Sequence, residues 1–219
     1  MRQKIPRAGE PSASERANVK KKTRDLKEEC IREGLKIIAK DGIGKLSLRE
    51  VARRLGVSHQ APYKHFPSRD HILAAIVARS FDAFARHLDR HPKTDDPDAD
   101  MGKMGQAYLE YAHRHALEYG LMFNTPLPDG KKHPEMMANA KHAFALLCDA
   151  LRRKARQRGG IPDDEAVMLD ALFIWSGLHG LASIAASSTV ATLEITPPVL
   201  ARSGMHLLQR LSQAMDTPK

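Results

Sequence analysis

A short segment of the chain, residues 58–65, carries side chains that can contact nucleic acid. It reads Ser-His-Gln-Ala-Pro-Tyr-Lys-His. A glutamine amide can bind adenine through two hydrogen bonds, and an alanine methyl can contact the thymine methyl. The predicted base-contacting residues are His59, Gln60 and Ala61. The polar cluster that follows them, Tyr63, Lys64 and His65, is also suited to contacting a partner.

These side chains reach a DNA groove only if a compact helical unit presents them. Ser47 and Glu50 have the spacing of a capping box, which predicts a helix over residues 48–55. Gly56 can adopt the left-handed conformation that ends such a helix, and a third helix is predicted over residues 59–66. Two short helices joined by a glycine turn form a helix-turn-helix, whose second helix enters the major groove.

Pro62 stands inside the predicted third helix, where a proline normally costs about 3 kcal/mol. If Ser58 is the N-cap, the missing N–H of Pro62 removes only the first hydrogen bond of that helix. We therefore expect the helix to tolerate Pro62. The sequence predicts that Pro62→Leu keeps the fold and DNA binding, whereas Tyr63→Ala weakens DNA binding.

Two further residues lie near predicted helix N-termini, where free backbone N–H groups favour phosphate. Ser47 and Arg69 are predicted to hold phosphates on either side of the motif. Arg49 and Ser58 complete the predicted set of DNA-binding residues. The alternatives are that Ser47 only caps its helix, that Tyr63 only packs against the first helix, and that Arg69 is an ordinary solvated charge.

The charge of the chain is concentrated in its first third. Residues 1–70 hold 18 Lys and Arg against 9 Asp and Glu, whereas residues 71–219 hold 17 of each, so the first segment accounts for the net charge of +9. This asymmetry favours a polyanion-binding module joined to a neutral one. The alternative is a basic disordered tail, predicted over residues 1–22, on an ordinary domain. Lys20–Lys22 and Arg24 are predicted either to add phosphate affinity or only to solubilise the chain.

The pattern of apolar residues is helical throughout, and no credible strand is found, so the predicted fold class is all-α. Thr23 is predicted to cap the first helix, and Asp41 and Gly42 to end it. We expect a helix-turn-helix domain over residues 23–69 and a helical effector-binding and dimerisation domain over residues 70–219, about nine helices in all. The later helices are predicted at 68–87, 101–114, 115–123, 134–158, 163–189 and 197–215, with a polar linker at 91–100.

One segment has the length of a membrane span. Between Asp170 and Glu194 there is no Asp, Glu, Lys or Arg. Its serine, threonine and glycine content and its His179 favour instead a helix buried on most faces by protein. Cys30 and Cys148 cannot form a disulfide framework, and the N-terminus lacks the apolar run of a secretory signal. We therefore expect a cytoplasmic protein.

Residues 24–70 resemble the DNA-binding domain of the TetR family of transcriptional regulators. The residues that carry the resemblance are Ile37–Ala39, Gly42, Ser47–Ala52, Leu55–Ser58 and Tyr63–Asp70. The positions of Tyr63, Lys64 and His65 resemble the phosphate-contacting positions of that family. Phe173–Leu181 resembles the Trp-His-Gly element of one class of TetR-type C-terminal domain.

The resemblance implies a homodimer whose C-terminal helices form a ligand pocket and the dimer interface. The last two long helices suit a four-helix interface, and two recognition helices about 34 Å apart would read a palindromic operator. We expect a repressor that an unidentified small-molecule effector releases from double-stranded DNA. The helix over residues 68–87 joins the two halves. It is predicted to transmit the conformational change by which the effector lowers DNA affinity.

Apolar and aromatic residues of the second half could line a largely apolar pocket. The candidates are Tyr108, Tyr111, Tyr119, Met122, Phe123, Met136, Met137 and Phe144, together with Trp175 and His179, which share a helix face. The alternative is that each is ordinary core, with His179 hydrogen-bonded to a neighbouring helix. Within a helix, Gly177 and Gly180 each cost about 1 kcal/mol of stability relative to alanine. We expect the close approach of another helix at these glycines to offset that cost.

Two other classes of function remain open at this point. One is an architectural DNA-binding protein without an effector. The other is a helical metal-dependent enzyme, for which the candidate pairs are His87 with His91 and His113 with His115. Neither pair has the neighbouring glutamate or cysteine that such a site would use. We expect no catalytic residue, no metal and no cofactor.

Overall fold

The structure is a computed structural model that describes residues 25–216. The predicted tail at 1–22 and the individual predictions for Lys20–Lys22, Thr23 and Arg24 lie outside the described residues. Within 25–216 all regular elements are helical, which confirms the predicted all-α class. The helices are α1 (Leu26–Asp41), α2 (Leu48–Leu55), α3 (Arg69–Leu88), α4 (Pro97–Arg114), α5 (Ala116–Phe123), α6 (Pro134–Gln157), α7 (Asp164–Ala185), α8 (Thr189–Thr192) and α9 (Pro197–Asp216).

The chain forms two compact units, one up to Ser68 and one from Arg69 onward. In the first unit, Asp25 and not the predicted Thr23 caps α1, by accepting a hydrogen bond from Glu28 N at 3.2 Å. The Ser47 hydroxyl caps α2 by accepting from Glu50 N at 3.2 Å, as its spacing predicts. Gly56 has φ 66° and ψ 31°, the left-handed conformation that ends α2.

The third helix differs from its prediction. Instead of an α-helix over residues 59–66, a turn leads into a single 3-10 turn at Pro62–Lys64. Pro62 has no N–H to donate to the Ser58 carbonyl, and that carbonyl accepts from Ala61 N at 3.0 Å instead. The prediction that Pro62 would remove only one bond from an α-helix is therefore wrong, because the shorter bonding pattern replaces the helix.

In the second unit, α3 packs along α6 and also against α4 and α5, while α9 packs against α4 and α7. Gly105 allows the close approach of α4 to α9, because a Cβ at that position would overlap the Leu208 side chain. Helix α4 begins inside the predicted linker at 91–100. Asp96 caps it by accepting from Ala99 N at 3.0 Å, and Pro97 occupies its first position, where its missing N–H costs no helical hydrogen bond.

Helix α7 contradicts the prediction of a helix buried on most faces. In the part of the chain that the structure describes, it is the one helix long and apolar enough to span a bilayer by length and composition, and 28% of its most apolar window is buried. Leu169, Leu172, Phe173 and Ile184 are exposed. The sequence pattern identified an apolar helix but could not show that neighbouring helices cover only one side of it.

Candidate nucleic-acid interface and candidate ligand cavity

The predicted base-contacting segment lies on the surface of the first unit. Ser58, His59 and Gln60 are exposed, and Ala61 is partly buried. The side chains of Tyr63, Lys64 and His65 are also exposed. The turn therefore presents donors, acceptors and a cation from one continuous stretch, as contact with a DNA groove and its phosphates requires.

Two buried residues fix this exposed stretch to the core. Pro62 is among the most completely buried side chains of the chain, and Phe66 is 2% exposed. The Phe66 N–H donates to the Pro62 carbonyl at 2.9 Å and closes the turn. The three residues between them, 63–65, are exposed, so the segment is anchored at both ends and presents its middle to solvent.

The remaining predicted DNA-binding residues have different environments. Ser47 is partly buried and its hydroxyl is engaged as the α2 cap, whereas Arg49 is exposed in the first turn of α2. Arg69 is the first residue of α3 and belongs to the second unit, where it lies 3.8 Å from the Asp70 carboxylate. Arg49 and Lys64 are both exposed, so phosphate can reach both charges.

Sequence reasoning missed a structural arginine. Arg54 donates to Glu50 at 2.8 Å and to Asp41, and its guanidinium lies 3.9 Å from the Glu33 carboxylate. It therefore joins α2 to α1. Hydrogen bonds from Arg53 and Arg54 lower the pKa of the Glu50 carboxyl to about 2. The four-residue spacing of Glu50 and Arg54 was a signal in the sequence, but the contacts to α1 were not.

The second unit contains a cavity of about 480 Å³, a volume within the range of small-molecule sites. Of the residues named for the predicted pocket, five line it: Tyr108, Met122, Phe123, Phe144 and Trp175. Helix α3 contributes Phe81, Phe84 and Leu88, and α9 contributes Leu208 and Leu211. The lining is predominantly apolar and aromatic.

The other named candidates lie outside this lining. Tyr111 is buried, and its hydroxyl donates to the Ser80 carbonyl at 3.3 Å. His179 bonds Tyr119 through Nδ1 at 2.7 Å, and Met136 is 1% exposed in the core. Tyr119 and Met137 are likewise absent from the lining. The i, i+4 spacing placed Trp175 and His179 on one face, but only Trp175 reaches the cavity.

A chain of hydrogen bonds leads from the cavity wall to His179. The Trp175 indole N–H donates to the Tyr108 hydroxyl at 3.2 Å, and the hydroxyls of Tyr108 and Tyr119 lie 2.8 Å apart. Tyr119 then bonds His179. Burial raises the pKa of Tyr108 and Tyr119 and lowers the pKa of His179, so all three are held in their neutral forms.

The opposite part of the lining contains an ion pair between a buried lysine and a partly exposed aspartate, which sequence reasoning also missed. Lys154 Nζ lies 2.5 Å from Asp98 Oδ1, and both residues line the cavity. Arg158 approaches the other oxygen of Asp98 at 3.6 Å. The sequence did contain a signal, because Lys154 continues the apolar stripe of Phe144, Leu147 and Leu151 along α6.

The histidines considered for a metal site are not brought together with further ligands. His87 lies 3.6 Å from the Glu110 carboxylate and beside Arg90, and burial lowers the pKa of its imidazole. Among residues 25–216 there is no group of three or more His, Cys, Asp or Glu that could hold a metal ion.

Comparison with known proteins matches both units. Residues 31–76 match the family model described as bacterial regulatory proteins, tetR family, and residues 101–208 match the model of the tetracyclin repressor-like C-terminal domain. An HTH-type transcriptional regulator of Mycobacterium tuberculosis is 24% identical over 196 residues, which cover 74% of this chain and 83% of that protein.

Two solved structures share the fold. A protein of unknown function from Rhodococcus sp. RHA1 has a TM-score of 0.69 and 26% identity, covering 88% of this chain and 98% of that one. A transcriptional regulator of the TetR/AcrR family from Thermobifida fusca YX-ER1 has a TM-score of 0.63 and 13% identity, covering 89% of this chain and 100% of that one.

Proposed function

The chain belongs to the TetR family of transcriptional regulators, and we propose that it is a homodimeric repressor released from its operator by a small molecule. The observation that carries the effector part is the apolar cavity of the second unit. Its volume and lining suit a small ligand. Buried, free Cys30 and Cys148 are compatible with the reducing cytoplasm, where we expect the protein to act.

We propose that the exposed turn of the first unit reads the operator. His59, Gln60 and Ala61 would face base edges, with Gln60 bonding adenine and Ala61 contacting a thymine methyl. Tyr63, Lys64 and His65, with Ser58, Ser47, Arg49 and Arg69, would hold phosphates. The exposure of Gln60 and Lys64 supports this division, since neither side chain is used in the core.

We further propose that a second copy of the chain covers the apolar face of α7. Leu169, Phe173 and Ile184 are exposed on this helix, and a Cβ at Gly180 would have no neighbour within 4 Å. Gly180 would let a partner helix approach closely at that point. Gly177 differs, because a Cβ there would meet Leu207 of α9 at 3.5 Å. A two-fold symmetric dimer would present the exposed segment 58–65 of each chain to one half of a palindromic site.

The proposed release mechanism is thermodynamic linkage between the cavity and the DNA-binding unit. Phe81, Phe84 and Leu88 of α3 line the cavity, and α3 begins at Arg69, directly after Ser68. An effector that binds better to one arrangement of α3 would favour that arrangement. If that arrangement binds DNA less well, the effector and the operator lower each other's affinity by the same factor.

The proposal is tested with labelled fragments of the region upstream of its own and neighbouring genes, at a fixed salt concentration. A sequence-selective shift of the fragment, with a stoichiometry of two chains per palindrome, is expected. Binding without sequence preference would indicate an architectural protein and contradict the repressor function. A cavity ligand that saturates the protein without changing its DNA affinity would contradict the linkage alone.

A further inference from the structure

We propose that the cavity binds an amphiphile with a single anionic head group, which pairs with Lys154 while its apolar body lies along α4 toward Tyr108. This rests on the proposed ligand-binding function of the cavity and names the class of ligand. Lys154 and Asp98 are the charged side chains among the lining residues, and the rest of the lining is mainly apolar or aromatic.

The burial of Lys154 points to an anionic partner. Its side chain is 6% exposed, and a buried ammonium requires a compensating anion. In the structure Asp98 supplies that anion at 2.5 Å. The carboxylate of Asp98 is 41% exposed and already faces Arg158 through its second oxygen. It can therefore leave Lys154 and remain paired and solvated, which makes room for a head group.

The charges favour an anion over a cation. A cationic ligand that approached Asp98 would also approach Lys154 and Arg158, because both already face that carboxylate. An anionic head group would instead take the place of the Asp98 carboxylate beside Lys154. It would also lie near the first turn of α4, the positive end of the helix dipole.

The shape of the cavity defines the body of the ligand. Asp98 and Tyr108 both line it and are ten residues apart on α4, which corresponds to about 15 Å along the helix. Gly102 lies between them in the lining, and a Cβ there would meet nothing within 4 Å. The far end is aromatic, with Phe123, Phe144 and Trp175. An extended apolar chain matches this arrangement.

Trp175 gives a direct readout, because it is the only tryptophan of the chain and it lines the cavity. The full-length protein is titrated with dodecanoate and, separately, with 1-dodecanol below micelle-forming concentrations, and Trp175 fluorescence is followed. We expect dodecanoate to bind at least about tenfold more tightly than 1-dodecanol, which corresponds to the free energy of one charge-assisted hydrogen bond. Lys154→Met should remove this preference while leaving dodecanol binding unchanged.

Two further variants separate a direct role of the ammonium from a structural one. Asp98→Asn should tighten dodecanoate binding, since it removes the Asp98 carboxylate that competes with the ligand for Lys154, whereas damage to the fold would weaken both ligands. Lys141→Met removes an exposed lysine from the same helix and should leave both affinities unchanged. Thermal unfolding of each variant reports whether it is folded; if Lys154→Met is not, Lys154→Gln replaces it.

The outcomes distinguish this inference from the function on which it rests. Equal affinity for dodecanoate and dodecanol, or an unchanged preference in Lys154→Met, would overturn the assignment of an anionic ligand and leave the cavity as an effector site. Tighter binding of dodecylammonium than of dodecanoate would likewise overturn it. Failure of every probe to alter Trp175 fluorescence in the folded protein would count against both the inference and the effector-binding function.

Discussion

The hydroxyl of Tyr119 lies 2.7 Å from Nδ1 of His179, a residue 60 positions further along the chain. The bond ties α5 to α7 beside the cavity. Through Tyr108 it continues to Trp175, the cavity-lining tryptophan. Because burial disfavours the imidazolium form, His179 contributes a neutral ring to this chain of hydrogen bonds.

The lowered pKa of His179 predicts a pH dependence of stability. Its pKa in the folded state lies below the ordinary value of 6.5, so the unfolded state binds the proton more tightly. Its contribution to the free energy of unfolding is therefore complete above pH 6.5 and falls as the pH drops through the folded-state pKa. Urea unfolding between pH 8 and 5 should show a smaller loss in His179→Gln than in the wild type. The same loss in both would contradict the assignment; His142→Gln, on an exposed site, is the control.

Gly180→Leu should separate dimerisation from folding. Nothing lies within 4 Å of a Cβ at this position, so the single chain can accommodate the new side chain, but a partner helix in close approach cannot. Analytical ultracentrifugation at micromolar concentration should show a dimer for the wild type and a monomer for the variant. Gly120→Leu, in a helix with equally open space, is the matched control. A wild-type monomer, or an unimpaired Gly180→Leu dimer, would contradict the proposed interface.

Gly105→Val should destabilise the second unit. A Cβ at this position overlaps Leu208, and overpacking of this kind costs about 1–3 kcal/mol. The urea midpoint should fall in Gly105→Val, and Leu208→Ala should cost less stability in that variant than in the wild type, because the smaller side chain makes room for the valine. If the loss of stability in the double variant equals the sum of the losses in the two single variants, the contact between residues 105 and 208 is not the cause of the destabilisation.

Gln60→Ala and Lys64→Ala should affect DNA binding in different ways. Loss of a base contact should remove about 1–3 kcal/mol of discrimination at one base pair and leave the salt dependence unchanged. Loss of a phosphate contact should weaken binding to all sequences and lower the salt slope by about one. Fluorescence anisotropy against operator and mutated operator, at several salt concentrations, measures both. A salt slope unchanged in Lys64→Ala would exclude its phosphate contact.

Pro62→Leu should keep the fold and DNA binding, whereas Tyr63→Ala should weaken DNA binding. Leucine restores the N–H that could donate to the Ser58 carbonyl, and its apolar side chain can occupy the buried site of Pro62. Circular dichroism and operator affinity measure the two effects. A Pro62→Leu chain that fails to fold would show that the 3-10 turn, and not merely a buried apolar residue, is required there.

Local features of the fold were readable from the sequence because their causes lie within a few residues. The Ser47 cap bonds the N–H three positions later, and Gly56 ends α2 through its own backbone conformation. The predicted N-cap of α1, Thr23, was wrong: Asp25 caps the helix, because its carboxylate and not the Thr23 hydroxyl lies three positions before the N–H of Glu28. Pro62 was recognised as unusual, but the sequence did not predict that this segment forms a 3-10 turn instead of an α-helix.

The sequence by itself determined the helical class, the cap and end of α2 and an aromatic second half, because helical periodicity, capping residues and side-chain composition are local properties. Only the tertiary structure decided that Lys154 meets Asp98, that Arg54 joins α2 to α1 and that His179 bonds Tyr119 outside the cavity lining. These contacts join residues distant in the chain. They depend on which helix faces pack together, and an amphipathic pattern shows that a face is buried without showing what it meets.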